Sequence, residues 1–150
     1  VSSRQTPSGI TISSFEDRDG WTPLAFGLTQ TQIILSEPDN PKSPVLYMTH
    51  FPPDTVLPRH HHESPFCDAV VTGSMWVEDD QTWYHAGTVR HVPPLVVYGP
   101  TKSGPNGLTL LEFYAQVEGV PATLYYDSMS PEQVEELERY LAQRPARTRE

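Results

Sequence analysis

Residues 69–92 read AVVTGSMWVEDDQTWYHAGTVRHV, and this stretch decides the fold. Ala69–Thr72, Ser74–Val77, Thr82–His85 and Thr88–Val92 are short β-branched and aromatic runs separated by turn residues. Runs of that kind read as strands. Glu78-Asp79-Asp80-Gln81 is a polar tetrapeptide suited to a hairpin turn between two of them. Working outward, Gln32–Ser36, Val45–Phe51, Leu95–Tyr98 and Leu108–Ala115 have the same character, and Lys102–Gly107 reads as a loop. Sixteen prolines keep the elements short, because proline interrupts helix interiors and central strands. Many short strands and no long helical periodicity predict an all-β sandwich or barrel.

The C-terminus changes character. Ser130-Pro131-Glu132-Gln133 has the form of a capping box, and Val134, Leu137 and Leu141 recur at helical spacing. This predicts one amphipathic helix over about 131–143, stopped by Pro145 and laid over a sheet face or barrel mouth. The first eight residues and Ala146–Glu150 read as disordered.

Composition excludes several classes. Nineteen acidic against ten basic residues give a net charge of −9, which opposes binding to nucleic-acid phosphates and to anionic membranes. A single cysteine, Cys67, excludes an intrachain disulfide framework and a multi-cysteine zinc site. No apolar run approaches the roughly 20 residues of a membrane helix, and no leader pattern is visible. The expectation is one cytoplasmic domain over residues 1–150, with no nucleic-acid or membrane partner.

Chemistry concentrates at Arg59-His60-His61-His62-Glu63. Alternation on a strand sends His60 and His62 to one face and His61 to the other. Two imidazoles so placed suit Fe, Ni, Cu or Zn, and a surface histidine cluster without metal is the competing reading.

The surroundings of the pair resemble the cupin family. Pro52-Pro53-Asp54, His60-x-His62 and then Gly73 follow the spacing of the first cupin motif. Gly87 followed by Pro93-Pro94-Leu95-Val96-Val97-Tyr98 follows the second. The resemblance covers a barrel core of about 44–115 and implies a cupin-type jelly-roll β-barrel. Asp54 and Leu95 stand at motif glycines, Phe66 at the motif glutamate and Tyr98 at the motif histidine. Asp54 is tolerable there because Asp visits left-handed backbone conformations.

The resemblance further implies a metal-dependent enzyme acting on a small organic substrate, dioxygenase-like or lyase- or isomerase-like. His60 and His62 carry over as ligands of one divalent transition metal, Fe(II) first, with Zn, Ni, Mn or Cu as alternatives. Tyr98 and His91 are candidates to complete the sphere, and Tyr98 and Asp68 are the catalytic candidates. Asp68 shares strand parity with Phe66, so it lines the interior either as ligand or base or as a solvated edge residue. Glu112 lies in a buried-looking strand and needs a partner, with Arg90 or Arg59 available. The other open class is a non-catalytic small-molecule sensor whose metal is vestigial or absent. Exposed sheet edges suggest a homodimer formed by swapping Ile10–Ser14 or Gln32–Ser36.

Overall fold

The structure is a computed structural model and describes residues 2–16 and 20–144. Twelve strands run in chain order among them: β1 (Ser2–Gln5), β2 (Thr11–Ser14), β3 (Thr22–Pro23), β4 (Thr29–Ile34), β5 (Val45–Phe51) and β6 (Val56–Leu57). β7 (His60–His61), β8 (Phe66–Val77), β9 (Thr82–His85), β10 (Val89–Val92), β11 (Thr101–Tyr114) and β12 (Thr123–Leu124) follow, and α1 (Pro131–Gln143) closes the described chain. The main sheet is ordered β10-β8-β11-β5-β4-β3, with β9 also paired to β8 and β6 to β11, while β7 and β12 form a separate pair. All of these pairings are antiparallel. This is the all-β architecture that the strand pattern predicts, in the jelly-roll form that the resemblance implies and with the expected C-terminal helix.

Alternation on the three central strands builds the interior in layers. On β5 the buried positions are Val45, Thr49 and Phe51; on β11 they include Leu108, Leu110, Glu112 and Tyr114; on β8 they include Phe66, Asp68, Val70 and Met75. One end belongs to an apolar cluster that contains Phe51, Val70, Leu108 and Leu110. The other belongs to a cluster of Val45, Phe66, Val92, Tyr98 and Tyr114. The polar layer between them holds Asp68 and Glu112. It stays in place because each strand enters both clusters, and each fully buried aliphatic or aromatic side chain contributes about 1.5–3 kcal/mol.

The strand boundaries depart from the sequence reading at four places. Ala69–Thr72 and Ser74–Val77 belong to one long strand, bulged where Gly73 crosses Gly107. Gly73 has φ +77°, and a Cβ there would lie 2.0 Å from the Gly107 carbonyl oxygen. The expected loop at Lys102–Gly107 is part of β11, because Thr101–Ser103 pairs with Met75–Val77 on one side and Thr101–Lys102 with Val56–Leu57 on the other. Leu95–Tyr98 is not a strand: only Tyr98 makes a bridge, to His60, and Leu95 has φ +63°. Among residues 2–8, which the sequence reading leaves without structure, β1 pairs with β2 around a turn in which the Ile10 amide donates to the Thr6 hydroxyl. The expected disordered tail lies outside the described residues.

Helix α1 follows its sequence signals. The Ser130 hydroxyl accepts from the Gln133 amide, and the Gln133 side chain accepts from the Ser130 amide. Gln133 also donates to the Val56 carbonyl at 3.0 Å, and Leu137 enters the Phe51 cluster. The helix therefore covers that end of the barrel. No helix among the described residues is long and apolar enough to cross a membrane. Replacing Ser130 with Ala removes one partner of the box and is expected to cost about 0.5–2 kcal/mol. A urea titration measures this, and an unchanged midpoint would mean the helix is not docked as described.

Candidate active site

The two motif segments meet through their backbones. The His60 amide donates to the Tyr98 carbonyl and the Tyr98 amide to the His60 carbonyl, at 3.1 and 3.0 Å. The Leu95 amide donates to the His62 carbonyl at 2.8 Å, which pins the following loop to the same segment. The side chains at 60, 62, 66 and 98 consequently converge. Ring centroids lie 5.3 Å apart for His60–His62, 4.3 Å for His60–Tyr98, 5.2 Å for His62–Phe66 and 6.0 Å for Phe66–Tyr98. Tyr114 stacks on Phe66 at 4.7 Å and meets His62 edge-on at 5.3 Å.

Each imidazole has a fixed tautomer. His60 Nδ1–H donates to the Pro58 carbonyl at 2.8 Å, and His62 Nδ1–H donates to the Val120 carbonyl. Both Nε2 atoms therefore carry the lone pair. Burial pushes His60 down to about 3, against the opposing pull of its Pro58 hydrogen bond. Burial lowers His62 as well. Both rings are neutral near pH 7. Burial also raises the Tyr98 phenol, with Arg90 opposing, and holds Tyr114 well above the ordinary tyrosine range.

The other candidates divide. Asp68 faces inward as its parity predicts, but Arg90 donates to both of its oxygens, with the shortest contact at 2.6 Å. That makes Asp68 the counterion of Arg90. The Arg90 guanidinium lies 4.8 Å from the centre of the Tyr98 ring. His91 is exposed and opposite Cys67 on the outer face, because its neighbours Arg90 and Val92 take the inner positions. It is not a third imidazole of this cluster.

Glu112 takes neither arginine. Arg90 is held by Asp68, and Arg59 reaches Asp127 near the surface. Glu112 instead accepts from the Thr49 hydroxyl, and its Oε1 lies 3.4 Å from the Tyr114 hydroxyl. That hydroxyl is also 3.4 Å from His62 Nε2. The sequence signal was present but incomplete: Glu112 shares inward parity with Leu110 and Tyr114, while its distance from His62 depends on how separate segments meet.

These residues do not fit a divalent transition metal. Of the four motif positions, two offer imidazole, one a phenyl ring without a donor atom, and one a phenol. Arg90 beside Tyr98 adds positive charge where a cation needs negative charge. Among the described residues no three His, Cys, Asp or Glu side chains are grouped to hold a metal ion. The Fe(II) site expected on His60, His62, Tyr98 and His91 is thus left with two imidazoles and a phenol, since His91 faces outward.

A cleft of about 230 Å³ opens beside the cluster, lined by Arg90, Val92, Val96, Tyr98, Pro100 and Thr101, with Glu78 and Asp79 also in its wall. His91 also lines it, and it reaches Tyr98 but not His60 or His62; the His60 ring lies 4.3 Å from that of Tyr98.

Comparison with solved structures places the fold. The polyketide cyclase RemF from Streptomyces resistomycificus matches with TM-score 0.59 and 20% identity, covering 86% of this chain and 99% of that one. An acetylacetone dioxygenase from Acinetobacter johnsonii matches with TM-score 0.60 and 13% identity, covering 94% and 97%. A cupin-like protein from Thermotoga maritima matches with TM-score 0.53 and 20% identity, covering 81% and 88%. The chain has the fold of a small cupin domain. No family model and no curated protein matches the sequence.

The buried Glu112 has a consequence for stability. Burial raises its carboxyl from an ordinary 4.5 to about 7; the Thr49 hydrogen bond opposes this and Asp68 adds to it. The folded state therefore binds this proton more tightly than the unfolded chain. The stabilisation is complete below pH about 4.5 and is lost as pH rises through about 7, amounting to roughly 3 kcal/mol at 1.36 kcal/mol per unit. Urea midpoints at pH 5 and pH 8 should show the wild type losing stability relative to Glu112→Gln. Parallel behaviour of the two proteins would contradict the assignment.

Proposed function

We propose that this protein is a cupin-fold enzyme that moves protons on a small carbonyl-bearing organic molecule, as a lyase or isomerase, without a resident metal. The observation that carries this reading is the pair of neutral imidazoles tied through Nδ1–H to backbone carbonyls, with His62 Nε2 3.4 Å from the protonated Tyr114 phenol. His62, less buried than His60, is the base. Tyr98, which lines the cleft, is the hydrogen-bond donor to the substrate oxygen. The substrate has to pass the Tyr98 ring, because the cleft reaches Tyr98 and not His62; there His62 Nε2 removes a proton beside the carbonyl, and the electron pair passes to the oxygen held by Tyr98. The proton then returns to another carbon, or a leaving group departs with the electron pair. Arg90, held by Asp68, stabilises the developing negative charge from across the Tyr98 ring. The apolar walls at Val92, Val96 and Pro100 suit an apolar substrate body.

A second reading is a non-catalytic small-molecule-binding module. It is favoured by the burial of His60, which is 3% exposed and so has almost no direct access to solvent. Screening carbonyl compounds for proton exchange with deuterated solvent separates the two. Exchange lost in His62→Ala supports the enzyme, and saturable binding without exchange supports the module.

Metal analysis of untagged protein tests the metal-free part of the proposal. The expected result is less than stoichiometric Fe, Zn, Ni, Mn or Cu after purification, with no change in folding on adding a chelator. Stoichiometric metal that disappears in a folded His60→Ala variant would overturn it.

We also propose a homodimer. The open sheet edges at β3 and β10 are places where a second chain adds strands. Sedimentation at micromolar concentration should give about twice the 16.9 kDa chain mass, and a value at the chain mass would count against the dimer.

A further inference from the structure

Every polar atom around Glu112 can be followed as a donor or an acceptor, and the sequence of hydrogen bonds has a direction. Gln30 Nε2 donates to Thr49 Oγ1 at 2.9 Å, so the Thr49 hydroxyl proton is directed to Glu112 Oε2. At the far end His62 Nδ1–H is committed to the Val120 carbonyl, so His62 Nε2 can only accept. The Tyr114 hydroxyl stands between, 3.4 Å from Nε2 and 3.4 Å from Glu112 Oε1. It has one proton and two acceptors competing for it.

The competition is settled by whether Oε1 carries a proton. With Oε1 protonated, Glu112 donates to the Tyr114 oxygen, the Tyr114 proton goes to His62 Nε2, and every group is satisfied. With Glu112 ionised, both of its oxygens require donors, and the charged acceptor wins the Tyr114 proton over a neutral imidazole. We infer that Glu112 gates His62: protonated, it keeps the Tyr114 hydroxyl on the imidazole lone pair; ionised, it turns that hydroxyl to itself and frees Nε2 to accept a proton from elsewhere. Glu112 is thus a positioning residue that acts through Tyr114. The inference deepens the reading of His62 as the base, and the arrangement of hydrogen bonds that carries it exists with or without a substrate.

The surroundings place the switch in a useful range. Glu112 is opposite Asp68 on β8 and opposite Tyr47 on β5, and Arg90 on β10 is one strand beyond Asp68. Tyr98, Tyr114 and His62 complete the titratable groups around it. Burial holds the Glu112 carboxyl up at about 7, with Thr49 opposing, while the Asp68 and Arg90 charges act on it in opposite directions. The gate therefore opens as pH rises through neutrality.

Nitrogen NMR of protein labelled with 15N-histidine tests this without any substrate. In the wild type the His62 Nε2 resonance should step towards the position of a free lone pair between pH 5 and pH 9, while Nδ1 remains protonated. Glu112→Gln presents a permanent amide donor to Tyr114 and a carbonyl to Thr49. Its His62 resonance should stay at the low-pH wild-type position throughout. Tyr114→Phe should show the free position at every pH. A Glu112→Gln protein that steps like the wild type, or a wild type with no step in this range, overturns the gate. Failure of the enzyme reading shows separately, as absence of substrate proton exchange in a protein whose resonance still steps.

Discussion

Three ionisable side chains, Arg90, Asp68 and Glu112, lie side by side on adjacent strands inside the barrel, and one positive charge cannot neutralise two negative ones. This constraint governs the polar interior. Arg90 takes Asp68, whose register position on β8 is directly opposite its own on β10. Glu112 is left with hydroxyl partners alone and retains its proton to about neutral pH. From that follow the direction of the Tyr114 hydroxyl, the state of His62 and the fall in stability towards alkaline pH. The two apolar clusters above and below hold the row together, because no strand can slip without turning Phe66, Val70, Leu110 and Tyr114 outward.

Asp54 and Leu95, where the resemblance puts motif glycines, both adopt the left-handed conformation, with φ +55° and +63°. For Asp this is a mild demand; for Leu it is a strained one, and the Leu95 amide bond to the His62 carbonyl helps hold it. The side chains at 60, 62, 66 and 98 still converge, but Phe66 and Tyr98 bring rings instead of metal donors. The interior there holds neutral imidazoles and protonated phenols, with an arginine at its edge.

Much of the fold was legible in the sequence because it rests on local periodicity and turn chemistry. Val45–Phe51 and Thr82–His85 are strands at the boundaries their alternation predicts, and Ser130 caps the helix that its box announces. The inward pairing of His60 with His62 and of Asp68 with Phe66 also follows from a period of two. Lys102–Gly107 was misread because its Gly and Pro content signals a loop, whereas partners on β6 and β8 supply the hydrogen bonds that make it a strand.

The sequence by itself determined which residue types are available and which face of its own strand each occupies. It could not determine who meets whom across strands far apart in the chain. Arg90 is 22 residues from Asp68, and His62 is 52 residues from Tyr114. Whether Arg90 serves Asp68 or Glu112, and whether His91 joins the imidazoles or faces solvent, depends on sheet order and register. Those are set by the packing of the whole barrel, because only the assembled core removes water from these groups and makes each choice of partner count.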